Sequence, residues 1–216
     1  MRKMTVKGTG NVSVKPDLLV LSLDLSTQLS TYEETMKQAT EASQELLNIF
    51  LDLGFDKNDL KTTDFTIDTV YESYQDAQKN YQRRFVGYEC RQDFRLEFDL
   101  NFERLSKVLS ALAQASLDPV FNIQFSVKDL TKVSEELLRN AAENAKEKAE
   151  ILADASGVKL GEIVDIHYSW GRIELYSPTD YRLNESNMRM AAEASPHIVP
   201  EDIDVSDEVT FVWEIK

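Results

Sequence analysis

Val86-Gly87-Tyr88-Glu89-Cys90-Arg91-Gln92-Asp93-Phe94-Arg95-Leu96-Glu97-Phe98-Asp99-Leu100 is the stretch that decides the fold class. Val86, Tyr88, Cys90, Phe94, Leu96, Phe98 and Leu100 fall on one parity; Glu89, Arg91, Asp93, Arg95, Glu97 and Asp99 fall on the other. Successive strand side chains point to opposite faces, so the run predicts one long strand with a core face and a wet face. Alternating signs on the wet face predict charge pairs with neighbouring strands. Nothing in the run marks one acid as desolvated, so a catalytic carboxylate pair is not indicated there.

Working outward, Phe65, Ile67, Thr69 and Tyr71 share one face of a preceding strand. Further upstream, Leu19, Leu21, Leu23 and Leu25 alternate with Val20, Ser22, Asp24 and Ser26. Before them lie Val6, Val12 and Val14, broken by Gly8 and Gly10 and followed by a Pro16-Asp17 turn. Between the strand pairs, Thr31-Tyr32-Glu33-Glu34 has the spacing of a capping box, in which a hydroxyl and a carboxylate satisfy free backbone N–H groups. The helix it opens carries Met36, Ala39, Ser43, Leu46, Leu47 and Phe50 on one face, and Gly54 closes it. Downstream, Asn101 caps a helix with Phe102, Leu105, Val108, Leu109 and Leu112 on its apolar face. Phe121, Ile123, Phe125 and Val127 make a further strand. A third helix runs from about Thr131 to Ser156, with Val133, Leu137, Ala141, Ala145, Ala149 and Leu152 as its seam and Gly157 after it. Alanine at successive turns lets a helix approach its partner closely. Ile163 to Trp170 read as a strand, 171–203 as irregular, and Val205, Val209, Phe211, Trp213 and Ile215 as a closing strand.

The predicted order is ββαββαβαββ. It implies an α+β fold of mostly antiparallel sheet with helices packed on one face, in a single unit over 1–216. Short turns between strand pairs predict hairpins. The repeated ββα order over 1–54 and 62–116 hints at an internal duplication.

Acids outnumber bases 38 to 24, for a net charge of −14. Such a surface is soluble and repels nucleic acid and anionic membranes; it favours a protein partner with a basic surface. No apolar run is long enough to insert in a membrane. No signal peptide is visible at Met1-Arg2-Lys3-Met4. The expected compartment is therefore cytoplasmic, or periplasmic or extracytoplasmic had an export signal been removed. The single cysteine, Cys90, excludes an intrachain disulfide. It lies in the strand pattern, where a buried inert thiol is the ordinary outcome.

No catalytic, cofactor-binding or metal-binding residues are assigned, and no cofactor is expected. Gly8-Thr9-Gly10 lies inside a strand pattern with no helix after it, so it is read as a bulge or close backbone approach rather than a phosphate loop. His167 and His197 belong to no ligand cluster. Glu201, Asp202, Asp204, Asp207 and Glu208 lack the spacing and central glycine of an EF-hand. No nucleophile with a base and an orienting group is recognisable.

Two segments are interaction candidates. One is the tyrosine-rich connection from Tyr71 to Arg84, in which Tyr74, Tyr81, Arg83 and Arg84 have the side chains favoured in binding hot spots. The other is Met188-Arg189-Met190-Ala191-Ala192-Glu193-Ala194, where Met188 and Met190 suit a short helix packed on its own domain or on a neighbour.

The chain resembles the SIMPL domain, a domain of unknown function. The resemblance is carried by Val6-Lys7-Gly8-Thr9-Gly10, Val12, Val14, Pro16 and Asp17, then by Gly54, Thr63 and Val86-Gly87-Tyr88. It continues in Ala145, Lys148-Ala149, Leu152-Ala153, Gly157 and Leu160-Gly161, and in Met188 to Ala194, Pro200 and the valine-rich final strand. Glu201 stands where the family usually has a glycine. The resemblance implies kinship with bacterial envelope or cytoplasmic proteins linked to oxidative stress and with a eukaryotic signalling adaptor. It also implies homo-oligomers, some of them ring- or channel-like, and carries no catalytic residues. The expectation is a non-enzymatic self-assembling or binding protein, stress-related by resemblance. Its rivals are a small-molecule binder or enzyme with a pocket between sheet and helices, holding Tyr88, Arg91 or His167, and an acidic signalling adaptor.

Overall fold

The structure, a computed structural model, describes residues 2–75, 79–115, 117, 119–169, 175–183 and 199–216, the last four of 175–183 by backbone alone. The elements in chain order are β1 (Arg2–Val14), β2 (Leu18–Leu29), α1 (Tyr32–Asp52), β3 (Leu60–Gln75), β4 (Tyr81–Asp99), α2 (Phe102–Gln114), β5 (Val120–Ser126), α3 (Leu130–Ala155), β6 (Leu160–His167), β7 (Tyr176–Leu183) and β8 (Ile203–Ile215). The fold is α+β. Its order is the one read from the sequence with one strand added, and every pairing whose register is described is antiparallel.

Helix starts follow the caps in the sequence. The Thr31, Asn101 and Asp129 side chains accept from the backbone N–H of Glu34, Arg104 and Lys132. Gly54 and Gly157 follow the C-caps at positive φ, 79° and 69°, a conformation that costs glycine little.

The chain divides into two compact units. One comprises 1–17, 126–179 and 200–216, the other 18–125 and 180–199. The first is built on a three-stranded sheet in the order β1-β8-β6. Its β1 and β8 pair residue for residue from Arg2↔Ile215 to Val14↔Ile203. Helix α3 lies on this sheet through Val133, Leu137, Ala141, Ala145, Ala149 and Ala153, all buried. A Cβ on Gly8 would lie 2.0 Å from the Ala141 carbonyl oxygen, and one on Gly10 2.0 Å from that of Leu137. The two glycines are therefore the close backbone approach, with helix backbone filling the side-chain space. Val6, Val209, Phe211 and Trp213 complete that core.

The second unit is built on the five-stranded sheet, in the order β3-β4-β2-β5-β7. Leu19, Leu21, Leu23 and Leu25 share one core with Phe94, Leu96, Phe98, Phe121, Ile123 and Phe125. Leu46 and Phe50 of α1 and Leu105, Val108, Leu109 and Leu112 of α2 fill the same core. Both helices thus cover one face.

Three expectations change. First, β1 and β2 are not a hairpin, because they belong to different sheets. They are joined by Lys15-Pro16-Asp17, where the Asp17 N–H donates to the Ser126 carbonyl at 3.0 Å, and β1 pairs with β8. The stretch 1–54 therefore does not repeat the architecture of 62–116, where β3 and β4 do form a hairpin. Second, the segment read as irregular contains β7. Pro178 and its polar neighbours hide it, and a proline is tolerated because β7 is an edge strand. Third, within the charged run from Glu89 to Asp99 two charge pairs lie along the strand, Arg91 to Glu89 at 2.8 Å and Arg95 to Glu97 at 2.7 Å. Across the strands from this run, like charges stand opposite one another. Asp93 stands opposite Asp24 and Asp64, Glu89 opposite Asp68, and Arg95 opposite Lys61.

Candidate functional site

The β3–β4 hairpin is longer than the sheet it joins. Leu29, the last residue of β2, pairs with Tyr88, and Tyr88 pairs with Thr69. Beyond that row β3 and β4 continue alone, pairing Tyr71↔Phe85, Glu72↔Arg84, Ser73↔Arg83, Tyr74↔Gln82 and Gln75↔Tyr81. The result is a two-stranded arm. Such ribbons are marginal in water unless side chains reinforce them.

The arm leaves the sheet at an irregularity. Val70 pairs with Gly87 and Tyr71 with Phe85, so Val86 is an extra residue between them. A bulge of this kind bends the ribbon and increases its twist. A Cβ on Gly87 would lie 2.1 Å from the Leu29 carbonyl oxygen, so only glycine lets β4 pass the end of β2 this closely.

Aromatic rings hold the base of the arm, and arginine–ring contacts continue outward. Tyr32, at the start of α1, meets Tyr88 edge-on with centroids 5.8 Å apart. Tyr88 meets Phe85 at 5.3 Å, and Phe85 meets Tyr71 at 5.8 Å. The Arg83 guanidinium sits over the Tyr71 ring at 5.0 Å. On the other face, Arg84 lies 6.0 Å from the Tyr74 ring and donates to Glu72 at 2.7 Å. Each edge-to-face pair contributes about 0.5–1.5 kcal/mol and each exposed cation–π contact about 0.5–1 kcal/mol. Together they order the ribbon without burying it: Tyr81 is 80% exposed, and Tyr71, Phe85 and Tyr74 are 47%, 46% and 45% exposed.

Of the residues singled out in the sequence, the structure brings Tyr74, Tyr81, Arg83 and Arg84 together on this arm. Met188 and Met190 lie outside the described residues, as does His197. Phe85 and Tyr32 were assigned to no site and Tyr88 only to the rival pocket, although with Tyr71 they form the spine of the arm. A detectable signal was strand length, since β3 and β4 span 16 and 19 residues against 12 in β2.

The other candidates are engaged elsewhere. Arg91 is paired to Glu89, whose carboxyl is held below the usual range by a hydrogen bond from Ser26 and then by Arg91. His167 lies in the first unit, exposed, with Nε2 3.3 Å from Asp165. Beside it an open polar groove of about 770 Å³ is lined by Lys7, Tyr168, Asp207 and Glu208 among others. There Lys7 pairs with Glu208 at 2.8 Å, and the Tyr168 hydroxyl donates to Asp207 at 2.9 Å. Cys90 is fully buried, and burial pushes its thiol pKa up, which leaves it protonated and a poor nucleophile. Among the described residues, no group of three or more His, Cys, Asp or Glu side chains is arranged to hold a metal ion, and no helix is long and apolar enough to cross a membrane.

The SIMPL family, described as a protein of unknown function, matches residues 4–213 of the chain. No curated protein matches it.

Proposed function

The chain belongs to the SIMPL family, and we propose that it works as a non-enzymatic assembly or binding protein whose contact element is the β3–β4 arm. One observation carries this reading: half-exposed aromatic rings and two arginines are ordered on a hydrogen-bonded ribbon that extends beyond its own sheet. Tyrosine and arginine carry much of the energy in protein interfaces. A ring already held by its neighbours loses little freedom on binding, which lowers the entropy cost of association.

The test is molar mass by light scattering after size exclusion, on the full chain and on Phe85→Ala. Removing Phe85 cuts the ladder between Tyr88 and Tyr71. The expected result is a folded variant, its circular-dichroism melt lowered by only a few degrees, that shows a smaller mass or no longer binds the partner held by the parent. An unchanged assembly and unchanged binding would remove the arm from consideration.

A further inference from the structure

A groove in the same unit has the chemistry to receive such an arm. It holds about 700 Å³ between β2 and α1. Leu29, Ala42 and Leu117 give it an apolar floor, and Glu34, Glu41 and Glu45 line α1 above them. Ala42 and Leu117 pack against the core, so the floor is fixed. The three glutamates recur at i, i+7 and i+11, which sets them along one helix face. Lys37 is the one base in the lining and, among the described residues, is paired with Glu41 at 3.9 Å between two exposed side chains. Such a pair exchanges readily with a better partner.

We propose that this groove is the docking site for the arm of a second copy of the chain. The inference rests on the arm being the contact element. The arm and the groove are complementary in kind. From 70 to 87 the sequence has Lys79, Arg83 and Arg84 against Glu72 and Asp76, a net positive segment in a chain that is −14 as a whole. A guanidinium can meet a carboxylate through two parallel hydrogen bonds, and a tyrosine ring can cover the Leu29–Ala42–Leu117 floor while its hydroxyl stays wet. A partner that is acidic around an apolar floor is what the arm requires, and every copy of this chain offers one.

The groove cannot be filled by its own arm. Its β2 residues, Ser26, Thr27 and Leu29, lie at and behind the row where β2 ends against Tyr88. Arg83 is five residues farther out along a hydrogen-bonded ribbon, roughly 16 Å at about 3.3 Å per residue. Turning back would break the pairings from Tyr71↔Phe85 to Gln75↔Tyr81. An arm in this groove would have to be that of another copy.

Charge reversal tests this. Arg83→Glu on the arm and the pair Glu41→Lys with Glu45→Lys in the groove are made separately and then combined in one chain. Mass is measured by light scattering across concentration, and folding is checked by thermal melts. The wild type is expected to associate, each separate reversal to weaken association about tenfold, and the combined chain to recover it. A wild type that stays monomeric into the high micromolar range overturns the inference and leaves the arm free to serve a different partner. An oligomer lost on Phe85→Ala but indifferent to the groove changes also overturns it, with the arm reading intact. An oligomer indifferent to Phe85→Ala and to Arg83→Glu removes both readings. A combined chain that folds but does not re-associate shows that the two sites do not meet.

Discussion

The seam between β1 and α3 and the arm of β3–β4 put small and large side chains to opposite uses. At the seam, Gly8 and Gly10 surrender their side-chain space to helix backbone, and the alanines of α3 do the same for the sheet. The few polar groups there are answered, as where the Thr9 N–H meets the Asn144 side chain at 3.0 Å and Asn140 donates to the Asn11 carbonyl at 3.0 Å. On the arm, rings of large area stand half in water with one another as neighbours. Close packing makes the seam intolerant of added atoms, whereas the arm, burying little, gives little folding energy back when atoms are removed. Folding stability and surface contact are therefore separable by mutation.

The largest effect expected is at the seam. Gly10→Val must displace the Leu137 backbone and should cost about 3 kcal/mol, within the range for overpacked interiors. Urea unfolding of the full chain measures it, and a loss below about 1 kcal/mol would break the contrast, because the seam would then be able to yield. Phe85→Ala comes next. It removes two edge-to-face contacts from a half-exposed ring and should cost about 1–2 kcal/mol, well under the seam change, while having the larger effect on association. A Phe85→Ala melt as depressed as that of Gly10→Val would mean that the arm is part of the folding core.

The smallest effect lies in the sheet that carries the arm, where Asp93 is flanked on both sides. Burial, and then Asp24 and Asp64 opposite, raise the Asp93 carboxyl pKa; Arg91 acts against them. A raised folded-state value means that the native state holds this proton more tightly than the unfolded chain does. Asp93 thus costs nothing below the ordinary aspartate range; its penalty grows as pH rises from that range to its folded-state value and is complete above it. Asp93→Asn should gain about 0.5 kcal/mol at neutral pH, a typical cross-strand value, and nothing near pH 3. Paired urea titrations at the two pH values would show it. A loss at neutral pH would mean that the carboxylate has a partner worth more than the repulsion it suffers.

Much of the secondary structure was legible because its signals are local. Leu19 to Leu25 alternate because the sheet has one wet and one dry face, and Thr31, Asn101, Gly54 and Gly157 stand where helix ends need their side chains or conformations. The spacing of Ala141, Ala145 and Ala149 announced a close helix contact, and Gly8 and Gly10 proved to be its other half. The site was legible in part. Tyr74, Tyr81, Arg83 and Arg84 stood out by residue type, but Phe85 did not, since the bulge at Val86 inverts the strand's parity at that point and takes Phe85 out of the alternating pattern.

The sequence by itself determined where strands and helices form, which face of each is apolar, and that small residues line one helix, because all of these follow from side-chain spacing along a few turns or pleats. Only the tertiary structure decided that β1 would leave β2 for β8, that like charges would face one another across β2, β4 and β3, and that the hairpin would outrun its sheet. A strand's own pattern says which face it buries. Which edge it pairs with depends on the lengths and turns of segments far away in the chain, and the arm exists because two of those lengths exceed the third.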